Sequence, residues 1–247
     1  MDERAQAVTH DRILGGRVTL RQPAKGYRAG MDAALLAAAC DAGPGDRVLD
    51  LGCGVGAVML AAATRRPGAV FVGLERDAAA MALALANIAD NAMGERVSAL
   101  AGDVAGAPPA ERFDAALCNP PFFDDPGALR APGPAKAGAW MADDGLQAWT
   151  SYLLGAVRDG GTITMIHRAD RLADLLALLG EKCGSSQVRP IHPFADAPAG
   201  RVLVRAVRAG RAPLRLLPAL VLHERGGGQH TPAADAILRG VADLPWL

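Results

Sequence analysis

Five short apolar runs in this 247-residue chain alternate with alanine- and leucine-rich stretches of helical period. That alternation constrains the fold more than any other feature of the sequence. "RVLDLG" (47–52), "AVFVGLE" (69–75), "VSALAGD" (97–103), "FDAALCN" (113–119) and "GTITMIH" (161–167) read as buried strands. Period and composition predict helices over 57–66, 77–91, 143–159 and 169–182. Asp77 and Asp143 or Asp144 are the expected N-caps, and Gly160-Gly161 the expected C-terminal stop of the third helix. Near-continuous apolar strands joined by helices demand crossover connections, hence an α/β fold whose parallel sheet is covered on both faces.

The last third changes character. Runs 188–194 and 201–210 are apolar with no helix between them, which predicts an antiparallel hairpin at the sheet edge. The expectation is therefore a Rossmann-like, doubly wound, seven-stranded and mostly parallel sheet. A short strand, a glycine turn and a last helix capped by Thr231 with Pro232 at its first position follow. Residues 1–45 are expected as an N-terminal extension carrying a binding segment, and 46–247 as the main domain, together one compact unit. The irregular stretch 124–140 reads as a loop held over the scaffold.

Formal charge is zero (26 basic, 26 acidic groups), so no overall field announces a nucleic acid or a membrane. Residues 1–30 are nevertheless basic, with Arg4, Arg12, Arg17, Arg21, Lys25 and Arg28 against three acids. Cys40, Cys53, Cys118 and Cys183 are far apart and form no C-x-x-C pair, which argues against a zinc site or a disulfide framework. They are expected as small buried hydrophobes. No uncharged apolar run approaches the roughly 18 residues a membrane helix needs, and the first residues lack a signal-peptide core. These readings favour a cytoplasmic protein without metal or membrane.

"VLDLGCGVGAV" sets Gly52, Gly54 and Gly56 in a G-x-G-x-G loop after the first strand of the sheet. Glycines here allow a tight turn and close approach of a ligand. Glu75 ends the next strand, where a carboxylate can accept both hydroxyls of a ribose. Asp50, just before the loop, would repel a pyrophosphate at the helix N-terminus and welcome a cation. S-adenosyl-L-methionine, with its ammonium and sulfonium, fits better than a nicotinamide dinucleotide. Asp103 is placed to accept a hydrogen bond from an adenine amino group. The alternative for each carboxylate is a helix cap or turn former.

The fourth strand stops at Asn119-Pro120-Pro121-Phe122. Two prolines cannot continue a central strand, because each removes a ladder donor and fixes φ. In a doubly wound sheet, ligands gather beyond the carboxyl ends of the strands. Methyl transfer to an exocyclic amine on a planar group needs what this motif offers, since the nitrogen lone pair is delocalised and weakly nucleophilic. The Asn119 side-chain oxygen and the Pro120 carbonyl can accept both N–H groups and favour a more tetrahedral nitrogen. Phe122 supplies a stacking face worth about 1–3 kcal/mol. The remainder is positioning, with no general base needed before attack.

On these residues the chain resembles class I S-adenosylmethionine-dependent methyltransferases of the N/D-P-P-Y/F group. Within them it is most similar to the bacterial tRNA (valine) adenine-N6 methyltransferase family, through "LRQPAKGYRAGMDAALLAA" (20–38) and the ending "PLRLLPALVLHERGGGQHTPAADAIL". The resemblance covers nearly the whole chain. It implies that Gln22, Tyr27, Arg28 and Asp32 lie near the methionine end of the cofactor. Asp50, Gly52, Cys53, Gly54, Gly56, Glu75, Arg76, Asp103, Val104 and Asn119 would line the rest. Asn119, Pro120, Pro121 and Phe122 would be catalytic. Phe122, Phe123, Lys25, Arg130 and Lys136 would meet the substrate, an RNA such as a tRNA anticodon stem-loop. Phe122 stands where adenine enzymes commonly carry tyrosine.

Other assignments follow from residue type alone. Arg4, Arg12, Arg17, Arg21, Arg130 and Lys136 are the candidates for phosphate contacts. His167 reads as a loop residue rather than a catalyst, and Trp140, Trp149 and Trp246 as packing groups. Asp32 has a plain reading as a helix cap. Guanine-N2 of ribosomal RNA, a glutamine side-chain amide in a protein, and an idle cofactor-binding scaffold remain alternatives to adenine-N6 of tRNA.

Overall fold

A computed structural model of the chain describes residues 7–25, 28–121, 145–226 and 229–246. Strands β1 (Val8–Ile13) and β2 (Val18–Pro23) form an antiparallel hairpin, followed by α1 (Met31–Ala38). The main sheet contains β3 (Arg47–Leu51), β4 (Val70–Glu75), β5 (Val97–Ala101), β6 (Phe113–Cys118), β7 (Val157–Arg168), β8 (Cys183–His192) and β9 (Arg201–Arg208). Two two-residue strands, β10 (Arg215–Leu216) and β11 (Leu220–Val221), add to β8. Interleaved are α2 (Ala57–Arg65), α3 (Ala78–Asp90), α4 (Leu146–Ala156), α5 (Leu172–Gly180) and α6 (Pro232–Leu238).

The order across the sheet is β8-β9-β7-β6-β3-β4-β5, with β9 antiparallel and the other six parallel. The seven long strands and the edge hairpin match the expectation, and β10 and β11 bring the count to nine. From β3 the chain runs outward through β4 and β5, then returns to lay β6 on the other side of β3. The topological switch therefore falls between β3 and β6, where doubly wound sheets bind their ligands.

β3 is apolar and buried on both faces because helices cover both. Its Val48 points into a core with α1, α2 and α3, and Leu49 and Leu51 into a second core with α4 and α5. Seven consecutive residues of α2, Ala57 to Ala63, are buried. A helix apolar all round needs cover on its outer side, and α1 and β2 supply it. Four alanines in each of α1 and α2 leave room for close approach.

The hairpin lies where an unspecified extension was expected. Its outer edge is paired by side chains instead of a strand. Asn91 accepts from the Thr19 amide (3.0 Å) and donates to its carbonyl (2.8 Å), and Asn87 does the same with Arg21 (2.7 and 3.1 Å). Residues four apart on a helix rise about 6 Å, close to the roughly 6.7 Å between residues two apart on a strand. That match lets one helix face imitate a neighbouring strand.

Two expected helix signals differ. α4 ends at Ala156, and Gly160-Gly161 sit inside β7, where the register against β6 jumps between Phe113 and Ala115. The left-handed Gly160 (φ 77°) serves this irregular strand entry rather than a helix stop. Asp143 and Asp144 lie outside the described residues, and the N-cap of α4 is Gly145. The Thr231 cap and Pro232 stand as expected, with Thr231 Oγ1 accepting from the Ala234 amide. Asp77 caps α3, its Oδ1 accepting from the Ala79 and Ala80 amides, both at 2.9 Å. Replacing Asp77 by alanine should lower stability by about 0.5–2 kcal/mol. A shift of the urea midpoint with an unchanged slope would check this.

Candidate active site

The carboxyl ends of β6, β3, β4 and β5 stand side by side. Leu51 pairs with both Leu74 and Cys118, and Glu75 pairs with Ala101. The next residues along these strands bring the glycine loop, Glu75, Asp103 and Asn119 to one end of the sheet.

The loop is held from several sides. The Gly52 and Cys53 amides both donate to Leu74 O (2.9 and 3.0 Å), and the Gly56 amide donates to Cys53 O (2.8 Å). The Gly54 amide donates to Glu75 Oε2 at 2.8 Å, while Glu75 Oε1 accepts from the Asp77 amide at 2.8 Å. Gly52 has φ 72°, and a β-carbon there would lie 2.5 Å from the Trp149 ring, so the packing role expected of Trp149 is to brace the loop from beneath. Gly54 is also left-handed (φ 55°), but among the described residues no atom beyond its chain neighbours lies within 4 Å of its β-carbon position. The loop thus has one closed face and one open face, the latter bordered by Glu75.

Asp50 is 1% exposed, and its Oδ2 accepts from the Met59 amide in the first turn of α2 at 3.0 Å. It ties the strand to the helix start, the capping role open to it from sequence, and acts from behind the loop. Burial, the nearby Glu75 charge adding to it, pushes its carboxyl up to about 7. Asp103 forms a local turn through the Ala105 amide (2.9 Å), with its other oxygen 3.5 Å from the Arg76 guanidinium. Val104 is half-buried beside the second core.

Gln22, 2% exposed, donates to Asp11 Oδ2 (3.0 Å) and accepts from the Ala29 amide (2.7 Å). The same Asp11 oxygen accepts from Arg28 (2.7 Å) and Thr9 (2.9 Å). Gln22 and Arg28 therefore hold the hairpin to the segment before α1, an interaction centred on an aspartate that sequence reading passed over. Asp32 is not a cap, since Gly30 occupies that position; it pairs with Arg201 of β9 at 3.1 Å. Lys25 is exposed.

Asn119 is half-buried, Pro120 buried and Pro121 half-buried. Tyr27, Phe122, Phe123, Arg130 and Lys136 lie outside the described residues, as do Arg4 and Trp140. Among the proposed phosphate contacts, Arg21 is spent on Asp90 (2.6 Å) and Arg17 on the carbonyls of Leu14 and Gly240, while Arg12 is exposed. His167 is not in a loop. It is 4% exposed within β7, and burial pushes its pKa down to about 4. Trp246 packs as expected, its indole N–H donating to Ala39 O at 2.7 Å. The described concavity lined by Cys40, Asp41, Arg66, Arg205, Asp243 and Trp246 lies by the far end of α2. Its charges are already matched, Arg66 with Asp243 and Arg205 with Asp41.

Residues 28–130 match the methyltransferase small domain family. A predicted O-methyltransferase from Agrobacterium tumefaciens superimposes with a TM-score of 0.73 at 27% identity, over 87% of this chain and 99% of that one. Residues 28–130 thus carry a methyltransferase small domain, and the chain has the fold of that predicted O-methyltransferase. The cofactor that such a domain takes is S-adenosyl-L-methionine. The site fits it, for the open face at Gly54 leaves room for a ligand against backbone, with a carboxylate alongside.

Two kinds of relative are similar to this chain. The release factor glutamine methyltransferase of Bordetella pertussis is 35% identical over 158 residues, 61% of this chain and 56% of that protein. The chain thus spans just over half the length of that relative. The tRNA1(Val) (adenine(37)-N6)-methyltransferase of Dyadobacter fermentans is 27% identical over 226 residues, 90% of this chain and 92% of that protein. No described helix is long and apolar enough to cross a membrane.

Asp50 generates a pH prediction. Its folded-state pKa near 7 stands above an unfolded value of about 3.9, so the folded state binds the proton more tightly. Its contribution to stability falls as pH rises from about 4 to about 7 and is level above. Asp50→Asn keeps an acceptor for Met59 and carries no charge. The stability gap between this variant and wild type, read from urea midpoints, should widen in the variant's favour across that window. A gap independent of pH would mean that Asp50 stays ionised throughout.

Proposed function

We propose that this methyltransferase modifies an exocyclic amino group held at Asn119-Pro120-Pro121-Phe122, most specifically adenine-N6 in a tRNA. The end-to-end similarity to an adenine-N6 enzyme, 92% of its length, carries this reading. Similarity to the glutamine enzymes covers only part of them. The cofactor supplies an electrophilic methyl group on its sulfonium.

Glu75 would receive the ribose hydroxyls, since its two oxygens accept from the Gly54 and Asp77 amides and each has a further lone pair to offer. Gly52, Cys53, Gly54 and Gly56 would bring backbone against the ligand. Asp50, once ionised above about pH 7, would set a buried negative charge behind the cationic end. Gln22, Arg28 and Asp32 would shape that end through the contacts they hold, with Asp103, Arg76 and Val104 beside the adenine. Asn119 and the Pro120 carbonyl would accept the two N–H groups of the substrate amine and orient its lone pair. The proton can leave after transfer, from a cationic product, so no base is required.

A second reading, a glutamine side-chain amide in a protein, is favoured by a separate observation. Arginines described around the carboxyl end are matched by carboxylates: Arg28 with Asp11, Arg76 with Asp103, Arg168 with Asp170, Arg201 with Asp32 and Arg225 with Asp196. Such pairs blunt the one-signed field that attracts a polyanion. The amide nitrogen is as planar as an adenine amine, and the same two acceptors serve it.

Labelled S-adenosylmethionine offered to unmodified tRNA, ribosomal RNA and release factor, with mass analysis of the product, decides between them. N6-methyladenosine in tRNA is the expected result, and methylglutamine would replace it with the second reading. Asn119→Ala should lower turnover by about a hundredfold or more while leaving cofactor affinity within a few-fold. An equal collapse of both would make Asn119 structural. Glu75→Gln should weaken the cofactor by about 1.5–3 kcal/mol in calorimetry, the range for hydrogen bonds to a charged group. Unchanged affinity would remove Glu75 from the ribose site.

A further inference from the structure

Asn87 is wholly buried on α3, and its side-chain amide joins three backbone groups from two separate parts of the chain. Oδ1 accepts from the Arg21 amide at 2.7 Å, and Nδ2 donates to the carbonyls of Arg21 (3.1 Å) and Val55 (2.9 Å). Arg21 lies in the hairpin next to Gln22. Val55 lies inside the glycine loop, between the two left-handed glycines Gly54 and Gly56. Asn91, one turn further along α3, pairs with Thr19 in the same way, but its amide also reaches Asn87 O (2.7 Å) rather than the loop.

We propose that Asn87 is a positioning residue that couples the glycine loop to the β1–β2 hairpin, so that a ligand ordering the loop also stabilises the hairpin. The inference rests on the loop being the cofactor site. A loop with three left-handed glycines loses much conformational freedom on ordering. Fixing the Val55 carbonyl removes part of that loss beforehand, and the bond doing so comes from the side chain that also closes the hairpin edge. Without the amide, the Val55 carbonyl and both Arg21 groups lose a partner together, and a buried unpaired group is costly. Coupling of this kind is reciprocal, so hairpin order must in turn favour the ligand.

Hydrogen exchange with S-adenosylhomocysteine as the probe, combined with calorimetry, tests the coupling. In the wild-type protein the probe should slow exchange in both the loop (52–56) and the hairpin (8–23). In Asn87→Ala, saturating probe should still protect the loop but no longer the hairpin, and the Kd should rise about fivefold or more. Asn91→Ala removes the other half of the hairpin's side-chain edge; it should lose stability but keep the hairpin protection and a Kd near wild type. Should Asn87→Ala fail to fold, Asn87→Ser, which leaves a hydroxyl donor, takes its place under the same expectations. Hairpin protection that survives loss of Asn87, or an Asn91→Ala Kd as weak as that of the Asn87 variant, overturns the coupling. Protection of neither segment in the wild type, with no heat of binding, takes down the cofactor-site reading and the coupling with it.

Discussion

The Gly54 amide bonded to Glu75 is the contact on which the site depends. It fastens the loop after β3 to the end of β4, across the gap that the strand order places beside the switch point. Leu74 O reinforces it by accepting from two successive loop amides. A loop of left-handed glycines has little preference of its own, so its shape is imposed by neighbours: Glu75 and Leu74 beside it, Trp149 beneath, Met59 and Asp50 at the helix start and Asn87 from α3. The open side at Gly54 is what these constraints leave.

The two cores divide the labour around that loop. The core with α1, α2 and α3 carries Asp50 and receives the hairpin, so the N-terminal segment is joined to the glycine-loop side of the sheet. The core with α4 and α5 carries Trp149 and supports β6 and β7, which lead to Asn119 and to the buried His167. The supports of the glycine loop and of Asn119 thus come from both faces of one sheet and meet at its carboxyl end. Neutral overall charge has a local counterpart there, in arginines matched with aspartates. Exposed pairs of this kind add little stability, about 0–1 kcal/mol each. Their larger effect is to weaken any long-range field at that end of the sheet.

Sequence alone determined the alternation of strands and helices, the edge hairpin, the Asp77 and Thr231 caps, and the gathering of Gly52, Glu75, Asp103 and Asn119 at one sheet end. Each is written in local chemistry or in a period of two or 3.6 residues, and the doubly wound topology leaves few ways to arrange them. The rest required contacts between distant segments. Asn87 and Asn91 read as ordinary helix residues, and only their match to the edge of β2 gives them a partner. Gly160-Gly161 carry a stop signal that the register of β7 against β6 turns into a strand irregularity. Asp50 is an acid before a glycine loop in sequence; burial against α2 makes it a helix anchor with a raised pKa. Asp11, Gln22 and Arg28 converge only because the hairpin folds back on the segment before α1. Local pattern names the elements and their ends, whereas the choice of which buried polar groups meet is decided by tertiary packing, because a partner tens of residues away leaves no periodic trace.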